Sequence, residues 1–150
     1  MTFSDELKTI CQNELSNYCS DTDDLRTAVI ASTDGFAVAD VSKKGSAATR
    51  LTALARSMYT LTASAGRDIA LGQPETLILE SAEGKTIMLT IPLPRQTLLF
   101  IACLEHSTPT GTALYGAKNC TRKIVEQLSH NVNQLSDRTK HQVTPQAAYS

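Results

Sequence analysis

The chain has 150 residues, 41% of them apolar, 5% aromatic and 19% charged, with 7 glycines and no tryptophan. This is the size and make-up of one globular domain, and it excludes a disordered, collagen-like or tail-dominated chain. Fourteen basic residues against fifteen acidic ones leave a net charge of −1, so no global field draws nucleic acid or an anionic membrane, and the longest strictly apolar run, Leu98 to Leu104, is far below the ~18 residues of a membrane span.

In chain order, Leu7, Ile10, Cys11, Leu15, Tyr18 and Cys19 form a helical stripe over residues 4 to 19, with Ser4 placed to cap it. Ala28-Val29-Ile30-Ala31 reads as a buried strand, Thr33-Asp34-Gly35 as a tight turn, and Phe36-Ala37-Val38-Ala39 as its hairpin partner. A long helix follows from Ala47 to Leu71, with Leu51, Leu54, Met58, Leu61 and Ala65 at steps of three and four. Between Arg56 and Arg67 it carries no charge. A helix that water covered on its free faces would be charged there, so this one is expected to be sheltered on two sides, by its own sheet and by another chain. Gly72-Gln73-Pro74 stops it.

Glu75 to Ser81 and Thr86 to Pro92 read as strands joined by a four-residue loop, Ala82-Glu83-Gly84-Lys85. In the second, Ile87, Leu89 and Ile91 alternate with Met88 and Thr90. The unbroken apolar segment from Thr97 to Leu104 belongs mid-sheet with both faces covered. A last helix runs from about Thr112 to Ser136, and residues 137–150 are expected to be a frayed polar tail after a single domain at 1–136. The expected fold is an α/β (α+β) sandwich: a five-stranded, mostly antiparallel sheet with helices on both faces, in the order α-β-β-α-β-β-β-α.

Residues with chemical potential have no matching partners. The segment Gly111 to Asn119 faintly resembles a phosphate loop, but Ala117 separates Gly116 from Lys118 and Asn119 stands where a magnesium-binding hydroxyl is needed. Cys103 and His106 are three residues apart across a strand end, a poor spacing for a thiol and its base. His130 and His141 have no spacing to a thiol or carboxylate that makes a metal site. The acidic start, without a hydrophobic segment behind it, predicts a cytoplasmic, reducing setting in which Cys11, Cys19, Cys103 and Cys120 are small core hydrophobes. Residues 1–24 hold six acids against Lys8, a net −5, whereas residues 118–140 are at +3. That asymmetry either helps the first and last helices dock on one sheet face or is an ordinary pair of solvated surfaces.

Three segments together resemble the roadblock domain, named after the dynein roadblock light chain: Ser32 to Ala39 after its Ala-Val-Ile-Ala strand, Leu77 to Lys85, and Thr110 to Leu114 after the apolar strand. The likeness runs in order from about residue 5 to 136 and implies a roadblock/profilin-like fold. It further implies a bacterial, cytoplasmic, non-enzymatic regulator that pairs with itself and binds a Ras-like small GTPase, with no cofactor, no metal, no nucleic acid and no membrane. Mapped onto this sequence, the dimer interface would hold Leu51, Leu54, Met58, Leu61 and Ala65 of the middle helix with Thr76, Ile78 and Glu80 of the strand after it. The GTPase would meet Arg56, Tyr59, Thr60 and Arg67. The alternative is a small-molecule sensory domain, which requires an apolar pocket between sheet and helix.

Overall fold

The computed structural model describes residues 3–43 and 48–149, with side chains as far as Asn131. Helix α1 (Asp5–Asp21) leads into strands β1 (Leu25–Ser32) and β2 (Ala37–Ser42). Helix α2 (Ala48–Asp68) follows, then β3 (Thr76–Ser81), β4 (Gly84–Pro92), β5 (Thr97–Leu104) and α3 (Thr110–Tyr149). The element order is the expected one, and all four strand pairings are antiparallel, in the sheet order β2-β1-β5-β4-β3.

The apolar β5 takes the centre because only there can both of its faces be dry. Leu98, Phe100, Ala102 and Leu104 point to one side, into a core with Leu7, Cys11, Leu15 and Tyr18 of α1 and Ala117, Cys120 and Ile124 of α3. Leu99 and Ile101 point to the other, where they meet Leu51, Ala55 and Met58 of α2. The Tyr18 ring stands edge-on to Phe100, with centroids 5.3 Å apart at 77°, a favoured aromatic geometry.

On the first face α1 lies over β1 and β2 while α3 lies over β4 and β5. The two helices meet through amides: Gln127 Nε2 donates to Glu14 Oε1 at 2.6 Å, and Asn131 Nδ2 to Glu6 Oε1 at 2.6 Å. On the second face α2 lies over β1, β2 and β5. Toward β3 that cover thins: Met88 and Leu77 still pack with α2, while Leu79 is 55% exposed.

Local chemistry sets the ends of the elements. Ser4 Oγ accepts the Leu7 N–H at 3.1 Å and caps α1. At the β1–β2 turn Gly35 adopts φ +92°, a region that costs other residues strain. The β3–β4 connection is shorter than the expected four residues. Gly84 and Lys85 pair with Ser81 and Glu80, so only Ala82 and Glu83 form the turn.

Lys85 is the reason the hairpin can close so tightly. Its side chain is 6% exposed, and Nζ donates to the Thr108 carbonyl and to Thr110 Oγ1 (3.2 Å), with Glu80 Oε1 at 3.7 Å. Arg26 holds the turn from the other side, donating to the Glu83 carbonyl at 2.5 Å while pairing with both oxygens of Glu105 at 3.0 and 2.7 Å.

Two helix ends depart from expectation. Helix α2 stops at Asp68 rather than Leu71, because the chain turns there through bonds from the Leu71 N–H to the Gly66 carbonyl (2.8 Å) and from the Ala70 N–H to the Arg67 carbonyl (3.4 Å). This closing motif needs one left-handed residue, and Ala70 (φ +57°) occupies the position where glycine is usual. A side chain at Gly66 would collide with the Gly72 carbonyl oxygen. Helix α3 continues through residue 149 rather than ending near Ser136. No glycine or proline interrupts residues 129–144, and a polar surface does not by itself break the helical ladder. The side chains of the expected tail, with His141, lie outside the described residues.

Gly66→Ala should therefore lower the thermal midpoint, against the ~1 kcal/mol that glycine-to-alanine exchange gives in an ordinary helix interior. Ala70→Gly should raise it, by roughly 1 kcal/mol of relieved left-handed strain. Scanning calorimetry of the two variants reads both signs.

Candidate interaction surface

The regular spacing of Leu51, Leu54, Met58, Leu61 and Ala65 hides two stripes. Leu51 and Met58, with Ala55, are buried in the chain's own core against β1 and β5. Leu54, Leu61 and Ala65 face out, with Leu54 41% and Leu61 73% exposed. Leu51 and Met58 are thus placed against their own sheet and have no free surface to offer. The hydroxyls that keep this helix bland are satisfied inside it: Thr52 Oγ1 donates to the Ala48 carbonyl at 2.8 Å and Thr62 Oγ1 to the Met58 carbonyl at 2.6 Å.

Strand β3 is an edge of the sheet, paired only with β4. The Thr90 N–H bonds the Glu75 carbonyl at 3.0 Å, which fixes the alternation of the ladder. Leu77 and Leu79 exchange backbone bonds with β4, whereas Thr76, Ile78 and Glu80 turn their N–H and C=O groups toward the free edge.

The side chains divide the opposite way from what a shared interface with α2 requires. Ile78 packs into the α1–α3 core, and Glu80 accepts a hydrogen bond from Thr110 Oγ1 on that same side. Thr110 and the Lys85 ammonium hold the Glu80 carboxyl below its ordinary range. Leu77 packs toward α2, and Leu79, 55% exposed, follows it beyond the reach of that helix. Thr76, Ile78 and Glu80, expected at an interface shared with α2, thus lie on the other face of the strand from that helix, and Leu77 and Leu79 are the apolar side chains that the sequence analysis misses beside it. The signal was the alternation itself: Leu77 lies opposite Met88, which the sequence already sets apart from Ile87 and Leu89. Ile69 and Leu71, both exposed, continue the apolar surface at the end of α2.

Arg56, Thr60 and Arg67 are all exposed, on one side of α2 at spacings of four and seven. Tyr59 is half-buried and packs against the core instead, so the structure brings three of these four together. Arg56 also borders an open notch of about 530 Å³ between α2 and the β1–β2 turn, shared with Asp34 and the exposed Phe36. A second crevice, about 420 Å³, separates the end of α1 from the start of α3 and is lined by Asn17, Asp21 and Lys123 among others. Both are open crevices, unlike the enclosed apolar pocket between sheet and helix that the sensory alternative requires.

Gly111 and Gly116 lie within α3 and form no loop. Cys103 is half-buried and His106 exposed. Among the described residues, no three His, Cys, Asp or Glu side chains stand together as metal ligands, and no helix is long and apolar enough to cross a membrane. All four cysteines are free thiols, and burial pushes those of Cys11 and Cys120 up to about 12.

A family model described as the Roadblock/LC7 domain matches residues 12–92, more than half of the chain. The chain belongs to the Roadblock/LC7 family. Solved structures agree with this domain over nearly their whole length. A Roadblock/LC7 domain from Streptomyces avermitilis superposes with a TM-score of 0.69 at 17% identity, covering 79% of this chain and 97% of that one. The gliding protein MglB from Thermus thermophilus gives 0.71 at 13% identity, covering 85% and 96%. Profilin II of Acanthamoeba castellanii gives 0.50 at 15% identity, covering 78% and 94%. At such identities these likenesses establish the fold. No curated protein matches the sequence.

The Roadblock/LC7 core makes a direct chemical prediction. At pH 8 the native protein should titrate slowly or not at all at Cys11 and Cys120 with Ellman's reagent, since the neutral thiol is unreactive and shielded. In urea all four cysteines should react. Full titration of the folded protein within minutes would contradict the packing of α1 on α3. The raised values also carry a sign. From the ordinary thiol value of 9.0 up to about 12, ionisation favours the unfolded chain, so stability should fall as pH rises through that window.

Proposed function

We propose that this Roadblock/LC7 domain is a non-enzymatic regulatory scaffold that acts as a homodimer and binds a Ras-like small GTPase. The observation that carries the dimer is the adjacency of three unmet surfaces. These are the outward backbone of Thr76, Ile78 and Glu80, the half-buried Leu77 and exposed Leu79, and the exposed Leu54, Leu61 and Ala65 of α2. An open strand edge needs a partner or a guard, and an apolar patch next to it needs cover. A second copy, turned about a two-fold axis at β3, supplies both at once: backbone bonds along the edge and an antiparallel α2 over the β3–β4 half-face. At ~25 cal/mol per Å², a typical interface of ~800 Å² per partner can offset the entropy of pairing where its contacts are well packed.

The family resemblance carries the GTPase assignment. Supporting it, the outer side of α2 remains free in such a dimer and presents Arg56, Thr60 and Arg67 next to the Asp34–Phe36 notch. This side chain set holds no nucleophile with a base, so the domain acts by orienting groups of its partner in the cytoplasm.

Light scattering after gel filtration should give twice the chain mass. Leu61→Asp and Leu79→Asp should each yield folded monomers, because both side chains are exposed in the single chain, and persistent dimers would refute this interface. Immobilised protein should retain a GTPase from its own cell in one nucleotide state, GTP or GDP, more than in the other. Retention of neither state by any candidate would remove the GTPase role while leaving the scaffold. Arg56→Glu should weaken that retention at least tenfold with the dimer mass unchanged.

A further inference from the structure

The sheet has two edges, and the chain treats them differently. At β2 the Lys43 N–H bonds the Arg26 carbonyl at 2.9 Å, and with Val29 opposite Asp40 this places Asp40 in the set of residues whose backbone groups point away from β1. Those two groups are taken by one side chain. Gln12 Nε2 donates to the Asp40 carbonyl at 3.0 Å, and Gln12 Oε1 accepts the Asp40 N–H at 3.3 Å. A carboxamide offers the same donor and acceptor as a peptide unit, so Gln12 stands where the next strand's backbone would be. It is held there by α1, whose neighbouring Cys11 and Leu15 are fully buried. At β3, among the described residues, nothing comparable engages the outward groups of Thr76, Ile78 or Glu80.

We propose that Gln12 is a side-chain plug on the β2 edge, which together with the Asp40 carboxylate keeps a second copy of this chain from extending the sheet there. Asp40 is exposed. A two-fold β2–β2 pairing centred on it sets one carboxylate against another, which disfavours the contact. Strand-to-strand association is thereby confined to β3. This inference rests on the dimer reading only for the size of the starting assembly, since the plug is a property of one chain.

The test compares wild type with Gln12→Ala and with Gln12→Ala/Asp40→Thr. In Gln12→Ala, exchange of the Asp40 amide, read by NMR, should accelerate about tenfold while distant core amides keep their rates. Unchanged exchange at Asp40 overturns the plug. In light scattering over a concentration series, the folded double variant should show species of at least twice the wild-type mass. A double variant with the wild-type mass at every concentration overturns the guard. Should the double variant misfold, the Asp40 exchange in the single variant decides. A monomeric wild type would remove the β3 dimer, yet a doubling of mass in the variant would still support the plug, so the two failures are distinguishable.

Discussion

Everything in this fold follows from how unequally the two faces of one sheet are covered. Strand β5 is apolar on both sides and must sit between layers. Three helices are available, and they divide two to one. The pair α1 and α3 spans the width of the first face, while α2 alone reaches across β1, β2 and β5. Over β3 and β4 its cover thins: Met88 is still buried against α2 and Leu77 half-covered, while Leu79 stays exposed. No rearrangement of loops removes that deficit, because a single helix is about 10 Å wide and a five-stranded sheet roughly twice that. The exposed leucines of α2 and β3 are the visible form of this shortage.

Polar contacts tie the β3–β4 hairpin from the α3 side of the sheet. Lys85 is nearly inaccessible and links the β3–β4 hairpin to the start of α3, and Arg26 clamps the turn to β1 and Glu105. A strand with one neighbour and a half-covered face would otherwise fray. Removing the partners of the buried Lys85 ammonium leaves it unsatisfied, which costs more than the bond itself contributes. The polar network therefore shapes the edge that the apolar residues leave open.

Much of this was legible in the residues. The central place of β5 follows from seven consecutive apolar side chains, and the buried face of α1 from its stripe. The uncharged run in α2 coincides with a helix whose outward side leaves Leu54 and Leu61 exposed. What periodicity could not separate is which members of the Leu51–Ala65 series face home and which face out, because steps of three and four fit both a sheet-facing stripe and its neighbouring flank. Sidedness on β3 hung on the hairpin register. Thr76, Ile78 and Glu80 are one backbone set and Leu77 and Leu79 the other, and assigning them to faces requires the pairing with Met88 and Ile87. The link from Gln12 to Asp40, 28 positions apart, has no local signature at all.

The two-residue turn at Ala82-Glu83 fixes more than a chain reversal. With so little slack the hairpin cannot slide by one position without sending Leu77 and Leu79 to the opposite side of the sheet and Ile78 out into water. A slip of β3 by one position against β4 would turn the sticky side of the molecule inward while every strand kept its place in the sheet.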